Sequence, residues 1–288
     1  MAEQKTQNSK VTELAAENKR MHIMAYGLMA LLFLVLLATV LRQFALTSIL
    51  LIVAILYQMF IVRKQQKSYL RKCENTNLEL TTLQKLDGVK IEEKPEDASE
   101  AEFLEAGLFP FVPKTVRFFK SITGKKGAFH IHSTDCSAAE RQHETGVAAD
   151  IVTGNWTQIE LPEDTGLHVC ILEDGLFPDE LRKEFYEGQK LVELPRPEGM
   201  PGALHLYAEG PDAPLPGGAF FQKLRSFTAY TPGKLVVRIQ GDTLNVFIRN
   251  RFLSSSFSVR EPLTKEELLR DPFPELDHIL ELIPFLKG

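Results

Sequence analysis

The chain has 288 residues, a formal net charge of −5, 44% hydrophobic residues and three cysteines. Charge is unevenly placed: residues 1–72 hold 10 Lys/Arg against 3 Asp/Glu, which leaves 23 against 35 in residues 73–288. An acidic C-terminal portion argues against nucleic acid, whose phosphates need a basic surface, and three scattered cysteines without C-x-x-C spacing fit a reducing compartment rather than a disulfide framework.

Two uncharged apolar runs, Ile23–Leu41 and Gln43–Val62, are separated only by Arg42. Each has the ~20 residues that a helix rising ~1.5 Å per residue needs to cross a ~30 Å hydrocarbon core. Apolar residues cover all faces, as in Leu31–Leu37, so neither run reads as an amphipathic core helix. The sequence predicts a transmembrane helical hairpin turning around Arg42 to Thr47. Lys5, Lys10, Lys19 and Arg20 precede it, and Arg63, Lys64, Lys67, Arg71 and Lys72 follow it. Cations flanking spans stay cytoplasmic, so both termini are expected inside, with the lipid bilayer as the first partner. A cleaved signal peptide competes for the first run, and two helices lying in one leaflet compete for the pair. However, the run exceeds the usual apolar region of a signal and no A-x-A-like site follows it.

Val11–Asn18 reads as a short polar helix leading into the first span. Arg63–Leu86 lacks Pro and Gly and reads as a helical stalk. Placing Tyr69, Cys73, Thr76, Leu80 and Leu83 at coiled-coil core positions gives too few good residues over too few heptads, which favours a solvated helix. Asp87–Ser99 is acidic, poor in large apolar residues and broken by Pro95, the pattern of a linker. Ser99 and Glu102 form a capping box for a short helix that Gly107 ends.

From Gly127 the period changes to two. Ala128–His132 and Gly146–Val152 read as a hairpin around Glu140–Glu144, and Trp156–Leu161 and His168–Leu172 as further strands. Pro178–Gly188 reads as a helix, Ala203–Ala208 as a strand and Ala219–Tyr230 as a helix with Phe220, Leu224 and Phe227 on one face. Lys234–Ile239 and Thr243–Ile248 make the clearest hairpin, turning at Gln240–Asp242. Thr264–Glu267 is a second capping box, and the last helix, from Pro274, spaces Leu276, Ile279, Leu280 and Ile283 for burial. The expected fold class is α+β with a mainly antiparallel sheet. The expected organisation is a cytoplasmic tail (1–22), the hairpin (23–62), a juxtamembrane helix (63–86), the linker (87–98) and an independently folding soluble domain (99–288).

The order of these parts carries a resemblance. A two-span hairpin and acidic linker are followed by "EAEFLEAGLFP", "FHIHSTDCSAAE", "LHLYAEGPDA" and "KLVVRIQGDTLNVFI". Over residues 20–288 this is similar to the bacterial membrane-anchored family catalogued as domain of unknown function 3137. The resemblance rests on architecture and strand patterns, and it implies the bacterial inner membrane. It implies no activity, cofactor or catalytic residue.

Candidate chemistry is sparse. His130 and His132 project from one strand face, the spacing of a metal pair. With the turn centred on Gln142, however, they face Gly154 and Val152, and His143 falls roughly 30 Å away at ~3.3 Å per residue. The residues therefore read as two partly exposed imidazoles. Cys170 reads as a buried structural thiol sharing its face with His168, and Cys136, in a polar segment, as more exposed. Glu163-Asp164 and Glu173-Asp174 read as turns, and the Pro/Gly loop at 210–218 lacks the residues of a phosphate-binding loop. No catalytic, cofactor or metal residue is assigned. The function expected is a membrane-tethered cytoplasmic binding or interaction module with a protein partner at the membrane, homo-oligomers remaining open. The competing readings are an anchored enzyme using His130, His132 or Cys136, and a small-ligand sensor or transporter accessory subunit.

Overall fold

A computed structural model describes residues 2–95, 100–109, 113, 115–139, 151–177, 186–259, 261 and 263–286, with backbone only at 2–8 and 151. The chain forms two compact units, Met1–Thr81 with Ser254–Pro272, and Thr82–Leu253 with Phe273–Gly288.

In the first unit, α1 (Ala2–Val40) runs unbroken through the polar segment and the first apolar run. It ends in a Schellman turn: Gln43 N–H donates to Ala38 O at 2.9 Å and Arg42 N–H to Thr39 O at 3.0 Å, with Arg42 left-handed at φ 56°. That motif closes the orphan carbonyls of the helix end and reverses the chain within three residues. Helix α2 (Phe44–Leu56) continues through a π-helical turn, Tyr57–Val62, into α3 (Arg63–Thr82). Large apolar side chains are exposed along both helices, from Ile23 to Ile61, with Phe33 at 63% and Phe60 at 66%. Two helices, Ser9–Val40 and Phe44–Thr82, are long and apolar enough to cross a membrane.

Beyond the apolar stretch, the stalk is not the solvated helix expected. Tyr69, Cys73 and Leu80 are buried with Leu14 and Met21 of α1 and with Leu268. On α3 they form a stripe at four- and seven-residue spacing that the antiparallel partner covers. Residues 254–272 supply the rest of this core through Phe257, Val259, Leu263 and Leu269. Asn77, fully buried, clamps them: its Nδ2 donates to Leu268 O (2.8 Å) and Arg270 O (2.7 Å), and its Oδ1 accepts from Ser255 Oγ (3.0 Å). Within this segment lies the short helix Lys265–Leu268, whose Thr264–Glu267 capping box forms as expected.

The second unit is a wholly antiparallel nine-stranded sheet with helices, as the α+β class requires. Its strands are β1 (Asp87–Glu92), β2 (Thr115–Lys126), β3 (Phe129–Ala139), β4 (Ile151–Glu160), β5 (His168–Glu173), β6 (Val192–Leu194), β7 (Leu204–Ala208), β8 (Leu235–Gln240) and β9 (Thr243–Arg249), in the spatial order β1-β2-β3-β4-β9-β8-β5-β7-β6. Two expectations change here. Asp87–Glu92, expected as linker, pairs with β2 as an edge strand, where lysines and acids suit an exposed rim. The β3–β4 register differs by six residues from the one expected: His132 faces Gln158 and His130 faces Glu160. The reason is that Ile151–Glu160 is one continuous strand paired with β3 along its whole length; the turn expected at Glu140–Glu144 lies outside the described residues. The other β3 edge pairs with β2 through the two-residue loop Gly127-Ala128, with Gly127 at φ 59°, the left-handed geometry that tight hairpins favour.

One sheet face carries an aromatic core. Trp156 packs edge-on against Phe103 (5.2 Å), while Phe109 meets Phe247 (4.9 Å) and Phe177 (5.5 Å). Cys136, Cys170, Leu172 and Val236 join the same cluster. Gly154 is required there, since a Cβ at that position would lie 2.2 Å from Ile248 O. Helices Gly218–Tyr230 and Glu275–Leu282 bury Phe220, Leu224 and Phe227, and Leu276, Ile279 and Leu280, the faces expected from their periodicity. Of the helix expected at Pro178–Gly188, only residues 186–188 are described, and they are helical.

Candidate functional site

The aromatic face does not stay apolar along the strands. Register places Lys125, His130, Glu160, Thr243, Gln240 and His168 side by side across six strands. One step along, Thr123, His132, Gln158, Asn245, Arg238, Cys170 and Tyr207 form a second row. Residues two apart on a strand share a face, so both rows lie on the Trp156–Phe247 side and make a polar band beside the aromatic core.

The band opens over β2–β4 as a trough of about 300 Å³ lined by Lys125, His130, His132, Gln158 and Glu160. His130 is exposed and His132 partly buried, as expected for imidazoles on a strand face. His132 Nε2 lies 2.8 Å from Thr134 Oγ1, and its ring sits 6.1 Å from that of Trp156. The trough offers donors and acceptors of both charge signs, which suits a polar ligand or a polar peptide segment. Among the described residues, no group of three or more His, Cys, Asp or Glu is placed to hold a metal ion. His143 lies outside the described residues.

Deeper along the second row the band is enclosed. Arg238 is 6% exposed, and among the described residues its Nε and Nη1 atoms have no hydrogen-bond partner. Asn245 Oδ1 accepts the Trp156 indole N–H at 3.0 Å, which satisfies the one polar group of that ring.

All three cysteines are buried and free. Cys136, expected to be more exposed, is fully enclosed, because it alternates onto the aromatic face rather than the rim. Burial pushes the Cys136 thiol well above its ordinary range and raises that of Cys170, which opposes the thiolate that nucleophilic chemistry needs. Cys170 donates to Tyr186 Oη at 3.4 Å, while His168 lies at the rim, 3.7 Å from Glu209.

The opposite sheet face holds a second polar group, buried rather than open. Ser133 Oγ lies 2.8 Å from both Asn155 Oδ1 and Thr157 Oγ1, and Asn155 Nδ2 donates to Asp135 Oδ1 at 3.1 Å. Asp135 also accepts the Leu253 N–H through both oxygens, at 3.0 and 3.1 Å. Burial raises its pKa from 3.8 to about 6, against the lowering effect of those hydrogen bonds. Leu253 is the last residue before the chain leaves for the first unit, so this network anchors a chain exit.

The sequence did not single out His205. It lies between two carboxylates, with Nδ1 2.5 Å from Glu193 Oε1 and Nε2 2.5 Å from Asp174 Oδ1. Asp164 accepts the Gly166 N–H at 2.7 Å, a local turn contact, whereas Glu173, the last residue of β5, accepts the Leu235 N–H at 3.1 Å across the sheet rather than within a turn. Lys125, Gln158, Glu160, Asn245 and Arg238 were missed because only cross-strand register brings them together. No family model, curated protein or solved structure matches this chain.

Proposed function

We propose that the protein is a non-enzymatic binding module tethered to the bacterial inner membrane by a two-helix hairpin, with both termini on the cytoplasmic side. The observation that carries this reading is the exposed apolar sleeve from Ile23 to Ile61, bordered by cations at the end of both helices away from the turn. Only Arg42 stands at the turn, so the charge bias favours a cytoplasmic placement of the stalk and sheet. The polar band of Lys125, His130, His132, Gln158 and Glu160 is the recognition surface in this proposal. A tether confines that surface to a layer near the membrane and raises its effective concentration for partners there. The similarity in layout to domain of unknown function 3137 fits the same reading.

The test is crosslinked co-purification from native membranes, comparing the wild-type chain with a His130→Ala/Gln158→Ala/Glu160→Ala variant. A partner lost in the variant supports the band as recognition surface, and identical partners oppose it. A sensor of small polar ligands is the second reading, favoured by the trough's volume and its convergent polar groups.

A further inference from the structure

A second cleft, of about 140 Å³, lies between α1 and α3 in the first unit. Its position is set by the apolar sleeve. Exposed apolar side chains begin at Ile23 and end at Ile61, while the cleft is bordered by Arg20 on one helix and Gln65 on the other. Three or four helical residues rise about 5–6 Å. A bilayer of ~40–45 Å with a ~30 Å hydrocarbon core has headgroup layers of about that depth on each side.

The lining is graded in the same direction. Met24 lies at the sleeve end, Gln65 and Ser68 beside it, and Lys72 at the far end. Met21 and Tyr69 are buried and form a rigid wall, with the Tyr69 hydroxyl 3.0 Å from Asn18 Nδ2. Lys72 is held by Glu17, so those two charges offset each other. Arg20 is exposed and has no ion pair among the described residues, leaving the cleft with a net positive charge. One water needs roughly 10–15 Å³, so the space takes a group the size of phosphate.

We propose that this cleft binds one phosphate-bearing headgroup of an anionic phospholipid, with the Arg20 guanidinium facing the phosphate, Gln65 and Ser68 donating hydrogen bonds and Met24 against the glycerol end. The inference rests on the membrane reading above and adds a discrete site to it. Diffuse attraction would involve every nearby cation alike; a site ranks them. Guanidinium suits phosphate because its fork of N–H donors matches two oxygens at once.

The test uses the full chain, purified in detergent and titrated with phosphatidylglycerol or phosphatidylcholine, while native mass spectrometry counts retained lipids. The expected result is one retained phosphatidylglycerol in preference to phosphatidylcholine. Arg20→Gln should weaken retention about fivefold, the equivalent of roughly 1 kcal/mol. Ser68→Phe, which fills the cleft without altering charge, should abolish it. Lys67→Gln, an exposed neighbour that does not line the cleft, should change it less than twofold. Equal losses for Arg20→Gln and Lys67→Gln, or retention unaffected by Ser68→Phe, would overturn the site. Displacement of the lipid by equimolar inorganic phosphate would overturn the assignment to lipid in favour of free phosphate. Alkaline extraction of membranes carrying the same chains separates the two claims. A wild-type chain that resists extraction but retains no lipid refutes the cleft alone. A chain released by alkali refutes the membrane reading and the site with it.

Discussion

Arg251 and Glu275 form a two-point ion pair, Nε to Oε1 at 2.6 Å and Nη2 to Oε2 at 2.9 Å, across the 19-residue excursion 254–272. The pair joins the segment just after β9, where the chain leaves the second unit, to the helix Glu275–Leu282 by which it returns. Glu275 is buried, so removing its partner strands a charge away from water. Arg251→Met should therefore destabilise by roughly 3 kcal/mol, and Arg251→Met/Glu275→Met should recover most of that loss. Denaturant melting of the full chain in detergent measures both. A double variant no better than the single one would mean that the pair contributes through packing rather than charge.

The excursion also bears on whether the region after residue 99 stands alone. Phe257, Val259 and Leu268 are covered by side chains of α1 and α3, and truncation at Ser99 removes both helices and β1. A chain starting at Ser99 should aggregate or expose residues 254–272 to protease. Limited proteolysis compares it with the full chain, in which the segment should resist cleavage. Equal resistance would show that the helical contacts are dispensable.

Asn77 is the polar pin of that core. Asn77→Ala leaves two carbonyls and the Ser255 hydroxyl without their partner, at a cost of about 2–3 kcal/mol. The local effect should exceed the global one, so hydrogen exchange at residues 255–270 is the sensitive measurement. Unchanged protection there would contradict the clamp.

Much of this architecture is legible in the residues, and the losses have physical causes. The β8–β9 hairpin is plain because both strands are near-continuous apolar runs around Gly241 at φ 59°. The apolar sleeve is plain because Arg42, at the turn, is the one charge between Ile23 and Val62. Strand β2 was missed, since a bulge between Phe118 and Ser121 breaks the alternation that marks a strand. The polar band was invisible for a different reason. Each strand contributes only one or two of its residues, and a register error of six residues in β3–β4 hid the pairing of His130 with Glu160. The burial of Tyr69 and Cys73 depends on a segment some 190 residues away, which no local pattern encodes.

Asp135 gives a pH signature. Its folded pKa of about 6 lies above the ordinary 3.8, so the folded state binds this proton more tightly than the unfolded state. The corresponding stability is full below pH 3.8, falls as the pH rises from 3.8 to about 6, and is constant above. The difference in melting temperature between wild type and Asp135→Asn should fall across that window and level off. A difference that grows with pH there would reverse the sign and contradict the buried-acid account.

His130 and His132 have different surroundings and should respond differently. His130→Gln changes an exposed group and should stay within about 0.5 kcal/mol. His132→Gln disturbs the Thr134 contact and the Trp156 neighbour, and should cost about 1 kcal/mol. A chelator should alter neither melting curve. Stoichiometric zinc, lost with a large fall in melting temperature on the double substitution, would place a metal site in the trough and favour an enzyme.

The proposed hairpin holds both ends of the chain on one side of the bacterial inner membrane, and reporter topology tests it most directly. Fusions before Met1 and after Gly288 should both report the cytoplasm, while a cysteine placed at Gln43, in the turn, should be labelled from the periplasm by an impermeant thiol reagent. A periplasmic signal from the C-terminal fusion, or a turn that stays unlabelled while both ends report inside, would contradict the hairpin.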